Sequence, residues 1–433
     1  HRMNPRLRWF LPVAPVAIAL IVRWVHVSYR APKEGSEGFG WYFVLGLIFA
    51  LTAAILGAPP RSSRLSAVPV AALSAIIAGT GAAATMTLIF PDVVPRFSIF
   101  ATGLFFGLWL LIVGAFSSLR SRRSGNVDRI VVVSPTEDID ALAAESLDAR
   151  LESPFGVVGS RQSDPPPDDL IELCVETNAS VVVLGPKAIL SATVVEQASA
   201  LHKQGVRVRS LEKFYDERLG KLPLSSLDRF SLMGDIESLH GSYAPLKRAF
   251  DILLAALGAI VLLVLIPFVL VGNLIGNRGP LLFRQERIGF LDQPFSIIKL
   301  RTMAPGAIDV SGWTSNNDPR ITPFGKLLRR THIDELPQVV NILIGELSVV
   351  GPRPEQATYV RQLQESLPFY SARHLVHPGL TGWAQVRYPY AASEEDAFAK
   401  LQYDLHYVRH ESFTTDLRII WLTVQHILVG GGR

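Results

Sequence analysis

The chain has 433 residues and a single cysteine, Cys174. That excludes an intrachain disulfide framework and is compatible with a reducing compartment. No C-x-x-C or H-E-x-x-H pattern occurs, so the common zinc signatures are missing. His374 and His377 stand three apart before "PGLTGW", without the further convergent ligands that zinc would need. A large charge excess is also missing. Lys plus Arg number 42 against 38 Asp plus Glu, a net charge of +4. No RRM, helix-turn-helix or zinc-finger pattern accompanies it, so nucleic acid is not an expected partner.

Apolar residues are abundant, at 49%, and mean hydropathy is +0.29. Four apolar runs, roughly 9–28, 40–57, 67–90 and 97–119, fill the first 120 residues. A helix of about 20 residues, rising about 1.5 Å each, crosses a ~30 Å hydrocarbon core. Arg23 interrupts the first run. His1 and Arg2 read as a leftover ahead of a start at Met3, and no cleavable signal is expected. Arg6, Arg8, Arg61, Arg64, Arg120, Arg122 and Arg123 flank the runs on one side. Arg30, Lys33 and Arg96 on the other side are diluted by Glu34, Glu37 and Asp92. The positive-inside rule then puts both ends of a four-span domain, 1–120, in the cytosol. Apart from Arg23 the spans lack ionisable residues, which argues against a channel or transporter.

From 127 the character changes. "DRIVVVS", "ASVVVLG" and "VRVRSL" read as strands, and "DIDALAAESLDARL" and "VVEQASALHKQG" as helices. Their alternation predicts a parallel, Rossmann-like α/β domain over 121–216. A dinucleotide site would place G-x-G-x-x-G after the first strand. That position reads "SPTEDID", so a structural or regulatory domain is expected. A linker, 217–242, follows.

Residues 249–276 are apolar and long enough to span. However, Pro267 lies inside, and basic residues flank both ends: Lys247 and Arg248 before, Arg278, Arg284 and Arg287 after. A re-entrant hairpin bent near Pro267 would keep both flanks on one side, provided nearby protein groups satisfy the freed backbone. Cations then accumulate. Arg284, Arg287, Lys299 and Arg301 come first, then Lys326, Arg329 and Arg330, then Arg353 between two prolines. Near a membrane they can attract anionic headgroups or grip phosphoryl oxygens. Arg353 and the Lys299–Arg301 pair look too constrained for a solvated face alone.

Within "RRTHIDELPQ" two acids, Asp334 and Glu335, are adjacent. Helical neighbours diverge by about 100° and do not face each other. The pair therefore need not share a proton. One could attack phosphorus while the other holds a metal or a water. A helix cap or a simple surface pair is the alternative.

The segments "KRAFDILLAALG", "GPLLFRQERIG", "FSIIKLRTM", "THIDELPQVVNILIGELSVVGPRP", "HPGLTGWAQV" and "KLQYDLHYVRHESFTTDLRIIWLT" together resemble the bacterial sugar transferase family, the monotopic phosphoglycosyl transferases. The ordered set covers about 243–433, and with the preceding regions it looks like the long form. The resemblance implies an α plus α/β membrane protein of the bacterial cytoplasmic membrane. It would comprise a four-helix transmembrane bundle, a Rossmann-like domain and a cytosol-facing catalytic domain, 243–433, with a re-entrant helix and interfacial amphipathic helices. It implies transfer of a sugar-1-phosphate from a UDP-sugar to undecaprenyl phosphate, with UMP released, as the first membrane step of exopolysaccharide or O-antigen assembly. Asp334 is then the expected nucleophile and Glu335 its partner, the two placing Mg2+. Arg284, Arg287, Lys299, Arg301, Arg329 and Arg353 are expected near substrate phosphates. A homodimer through the spans or the α/β domain fits the long form. The competing reading is an inactive membrane scaffold that binds nucleotide sugar in an assembly complex.

Departures are Ile266-Pro267 at the expected bend, "RYPYAASEEDAFAKL" after "GWAQV", and the missing glycine-rich loop. Gly379, Gly382 and Trp383 are expected to shape a turn. Asp404, Tyr407 and Asp416 are expected to hold the last helix or reach the sugar. Ile419, Ile420 and Trp421 suggest a helix in the membrane interface.

Overall fold

Ile130–Val133 are wholly shielded from solvent, as expected for an apolar strand covered on both faces of a parallel sheet. In this computed structural model, residues 14–24, 39–55, 76, 79–81, 83, 96–123, 127–147, 154–227, 229–304, 320–388 and 394–428 are described. The chain divides into two units, His1–Arg209 and Ser210–Arg433.

The first unit begins with apolar helices α1 (Ala14–Trp24), α2 (Phe39–Ile55) and α3 (Arg96–Arg123). Tyr42, Leu45, Phe49, Ile99, Phe106 and Leu110 form their core, and Tyr42 Oη lies 2.9 Å from Ser98 Oγ. The third apolar run, 67–90, falls mostly outside the described residues.

The α/β part follows as β1 (Asp128–Val133), α4 (Thr136–Ser146), β2 (Phe155–Arg161), α5 (Leu170–Glu176), β3 (Val181–Leu184), α6 (Pro186–Leu190), α7 (Ala192–Lys203) and β4 (Arg207–Ser210). The sheet order is β2-β1-β3-β4, with β1 parallel to both neighbours. The three expected strands are present. Strand β2, "FGVVGSR", was not expected, because its two glycines mask the β signal. The first turn of α4 carries Glu137 and Asp138, and the Ser134 hydroxyl donates to Asp138 across 2.6 Å. The positive end of this helix therefore already faces its own carboxylates.

The second unit opens with α8 (Leu211–Phe214), a π turn at Tyr215–Leu219 and a 3-10 turn at Leu224–Ser226. Leu222, Leu224 and Leu227, from the stretch read as a linker, lie in this unit's core beside Val350, Trp383, Leu405 and Ile419. The remaining elements are α9 (Arg229–Gly276), β5 (Leu282–Ile288), β6 (Pro294–Leu300), α10 (Pro323–Arg330), α11 (Val339–Ile344), β7 (Ser348–Val350), α12 (Ala357–Ser366), β8 (Gly379–Thr381), α13 (Trp383–Arg387), α14 (Glu394–Arg409) and α15 (Phe413–Leu428).

Among the described residues, α9 holds the one helix stretch long and apolar enough to cross a membrane, Tyr243–Gly276. Both Pro245 and Pro267 lie inside it. One stripe of α9 packs on the domain along its length. Near its start, Lys247 donates to Asp416 across 2.6 Å, and Asp251 accepts from Ser348 Oγ and Val349 N–H. Arg248 donates to the carbonyls of Ile342 and Leu343, capping the negative end of α11. Ala255 then shares a cluster with Phe295, Ile297, Val339 and Ile342, and Val269 one with Leu300 and Leu328. Gly272 must lack a side chain, because a Cβ there would lie 2.2 Å from the Phe324 ring. The opposite face, including Leu257, Ile260, Leu263, Val264, Phe268 and Val271, is exposed.

Candidate active site

The acid pair stands on a 3-10 turn, Ile333–Gln338, between α10 and α11. Thr322 caps α10, its hydroxyl accepting from Gly325 N–H at 3.0 Å. Gly325 admits the Thr302 carbonyl, which a Cβ would meet at 2.0 Å, so α10 sits tight against the end of β6. His332, at φ 55°, ends that course and opens the turn. With about three residues per turn, successive side chains diverge by about 120°. Asp334 and Glu335 accordingly face different surroundings.

Glu335 is the anchored acid. Lys299 Nζ donates to its Oε1 across 3.1 Å, and an Arg353 Nη lies 3.9 Å from the same oxygen. Burial alone would raise the Glu335 carboxyl, but Lys299 and Arg353 outweigh it and bring it down to about 2. Burial also lowers the Lys299 ammonium, opposed by Glu335. Asp334 differs. Burial, then the charge of Glu335, pushes it up to about 6, against the pull of Lys299, Arg329 and His332. Among the described residues Asp334 is in no ion pair. It is a carboxylate with its charge uncommitted, in a field of cations.

The cations separate by strand register and loop support. Lys299 pairs with Phe283 and Arg287 with Phe295 in the antiparallel β5–β6 ribbon. Cross-strand partners share a face, so Lys299 and Arg287 share the face of the buried Phe295 and Ile297. Arg284 pairs with Ile298, lies on the opposite face and is exposed. Its expected place by the phosphates is not matched by convergence with the acids. Arg301 is held elsewhere as well. It donates to the carbonyls of Pro280 and Met303 at 2.6 and 2.7 Å and to Asn277, tying down the end of α9. Its fork is engaged with backbone rather than with the acid pair. Arg329 Nε donates to Thr302 Oγ1 across 2.9 Å.

Arg353, flanked by the buried Pro352 and Pro354, is supported from behind. Arg373 donates to the Arg353 carbonyl at 2.9 Å and pairs with Asp404 at 2.8 Å, both almost fully buried. Arg287 donates to the Pro354 carbonyl at 3.2 Å. Lys299 and Arg353 thus meet Glu335, Arg329 acts on Asp334, and Arg287, paired with Glu355 at 3.6 Å, lies near enough to act on Lys299.

Asp404, Tyr407 and Asp416 serve the scaffold. Tyr407 Oη donates to Asp416 across 2.7 Å. Trp383 donates to the Gly220 carbonyl at 2.7 Å. Ile419 belongs to the protein core, which corrects its expected place at a membrane interface. His374 binds Asp292 at 2.6 Å, and His377 stacks on Phe290 at 4.3 Å. Arg373 carried no sequence signal, since its two partners lie 20 and 31 residues away.

These features define a protein with an apolar helix of membrane-crossing length beside a carboxylate pair ringed by cations. The family described as bacterial sugar transferase matches residues 242–430. The chain is 44% identical over 197 residues to the exopolysaccharide production protein PSS of Rhizobium leguminosarum bv. phaseoli, across 43% of this chain and 96% of that protein. It is 39% identical over 191 residues to the UDP-N-acetylgalactosamine-undecaprenyl-phosphate N-acetylgalactosaminephosphotransferase of Aeromonas hydrophila, across 44% of this chain and 45% of that protein. It is 38% identical over 191 residues to the UDP-glucose:undecaprenyl-phosphate glucose-1-phosphate transferase of Escherichia coli K12, across 43% and 41%. The chain belongs to the bacterial sugar transferase family. The match spans less than half the length of the Aeromonas and Escherichia proteins.

Proposed function

We propose that the chain is a phosphoglycosyl transferase that moves a sugar-1-phosphate from a UDP-sugar to undecaprenyl phosphate. An Asp334 carboxylate oxygen attacks the phosphorus that bears the sugar. The bond from that phosphorus to the bridging oxygen breaks, and UMP leaves with the electron pair. A phosphate oxygen of undecaprenyl phosphate then attacks the same phosphorus. The Asp334 carboxylate leaves, and the lipid-linked sugar diphosphate is the product. Splitting the transfer in this way replaces one difficult displacement with two.

The observation that carries the reading is the division of labour between the acids. Glu335 is neutralised by Lys299 and Arg353, whereas Asp334 is pushed up to about 6 and left uncommitted. A carboxylate of that kind is ionised at neutral pH and more basic than an ordinary one. Lys299, Arg329, Arg353 and Arg287 offset the charge of the diphosphate as it develops. The adjacent hard carboxylate oxygens of Asp334 and Glu335 suit Mg2+, which would add charge stabilisation when bound.

The same reading puts the protein in the bacterial cytoplasmic membrane as a multi-pass protein with this unit on the cytosolic face. It makes α9 re-entrant, bent near Pro267. Lys247 and Asn277, at either end of its apolar stretch, both bond to this unit. A crossing helix would separate them by the membrane. The exposed apolar face would then lie in lipid, with each buried aliphatic side chain contributing about 1.5–3 kcal/mol. Leu327, Val340, Leu343 and Ile344 on α10 and α11 are also exposed and would extend that surface to the site. Association as a homodimer is part of the same reading.

The test is nucleotide release by the purified protein in detergent, with Mg2+, undecaprenyl phosphate and a panel of UDP-sugars. UMP release from one donor, dependent on lipid phosphate, is the expected result. Release of no nucleotide from any donor would leave the scaffold reading.

A further inference from the structure

A second cluster of ligating side chains lies outside the acid pair. His406 is in α14 and His410 directly follows it, its N–H bonded to the His406 carbonyl at 3.0 Å. The two rings are therefore one helical turn apart on one face, with centroids separated by 4.6 Å. Asp216, on the Tyr215–Leu219 turn, meets both. His410 Nε2 lies 2.6 Å and His406 Nε2 3.2 Å from the same Asp216 Oδ1. All three ligand atoms fall within 4.8 Å of one another.

We infer that Asp216, His406 and His410 form a binding site for a divalent transition metal, with Zn2+ the best chemical match. Two imidazoles at i, i+4 on a helix are a recurrent metal-binding pair, because that spacing aims both rings at one point. Two nitrogens and one carboxylate oxygen are a borderline donor set. It suits Zn2+ and its neighbours, whereas Mg2+ prefers oxygen alone. The site is thus chemically distinct from Asp334 and Glu335. Bonds of about 2.0–2.1 Å in a tetrahedron put ligand atoms about 3.4 Å apart. The His406–Asp216 separation already fits, and the His410–Asp216 contact needs to open by less than an ångström.

Surroundings support this assignment and set its strength. His406 is fixed by stacking on Trp383, rings 5.9 Å apart at 21°. Trp383 is held in turn by the Gly220 carbonyl, next to the Asp216 turn. His410 is the open side, its side chain 40% exposed against 15% for His406. That provides an entry path and room for a water as fourth ligand. Two features limit affinity. Buried His406 Nδ1 has no hydrogen-bond partner, so no acceptor behind the ring raises its basicity. Arg387, stacked over Trp383 at 4.4 Å, adds positive charge nearby. The site binds moderately and acts as a clip. It joins the segment entering this unit to a helix about 190 residues later in the chain.

The experiment uses the full chain in detergent, stripped with chelator, with Mg2+ kept in excess so that the acid pair is not the site read. ZnCl2 is titrated calorimetrically and by melting, and CoCl2 by its visible absorption. One equivalent of Zn2+ is expected, raising the melting temperature, with a Co2+ spectrum of tetrahedral type. His410→Gln, at the exposed ligand, should weaken binding at least about tenfold and abolish the melting shift. His426→Gln, at an exposed position of α15, should change nothing. Asp216→Asn retains an oxygen that can accept from both histidines, so it serves as a second variant that keeps the fold; it should also weaken binding. Absence of saturable Zn2+ binding in the wild type, or an affinity unchanged from wild type in both ligand variants, would overturn the site and leave a hydrogen-bonded strut.

Discussion

Asp334→Asn keeps the shape of the proposed nucleophile and removes its charge. In the fold the carboxyl is pushed from 3.8 up to about 6, first by burial and then by Glu335. Each pH unit corresponds to about 1.36 kcal/mol, so ionising Asp334 costs the native state up to about 3 kcal/mol. Solvent reaches this half-buried group, which makes the figure an upper bound. The sign follows from linkage. Because the folded value lies above the unfolded one, the unfolded chain loses this proton first. Wild-type stability therefore falls as pH rises from about 4 to about 6, and is level beyond. The Asn variant lacks that fall. At about 2–4 °C per kcal/mol for a unit of this size, it should melt several degrees above wild type at pH 8 and close to it at pH 4. Over the same range wild-type UMP release should rise through pH 6, and the variant should show none. The assay is a melting curve and a nucleotide-release rate at each pH. A variant that turns over without deamidating would refute the nucleophile. A variant that melts below wild type at pH 8 would refute the electrostatic account.

Glu335→Gln removes the charge partner of Lys299; transfer should fall to near background and stability by about 1–3 kcal/mol, read by denaturant titration. Lys247→Met leaves the buried Asp416 carboxyl without its cation, so a loss of about 3–5 kcal/mol is expected, seen as early melting and faster proteolysis. Arg353→Ala should raise the donor KM roughly tenfold or more, because a charge-assisted contact contributes about 1.5–3 kcal/mol, whereas Arg284→Ala should stay within about threefold. Equal effects would overturn the sorting by ribbon face. Lys326→Ala, at an exposed position of α10, should change the transfer rate little, since attraction to the lipid surface is shared over many cations.

The site was legible where chemistry is local. Adjacent Asp334 and Glu335, Arg353 between two prolines, and the apolar stretch before Asn277 can all be read from neighbours in the chain. Strand β2 was not, because Gly156 and Gly159 dilute the apolar alternation, and its place was decided by pairing with β1. The cations looked alike in sequence. Lys299 and Arg301 are two residues apart, yet one meets Glu335 and the other the end of α9.

Composition, hydropathy and motif order by themselves determined the family, the apolar helix and the adjacency of the candidate acids, because each depends on residue type at short range. Tertiary structure alone decided which acid is neutralised, which cations converge, and that Asp216 meets His406 and His410. Partnership between charges falls steeply with distance in space, and distance along the chain carries almost no information about it.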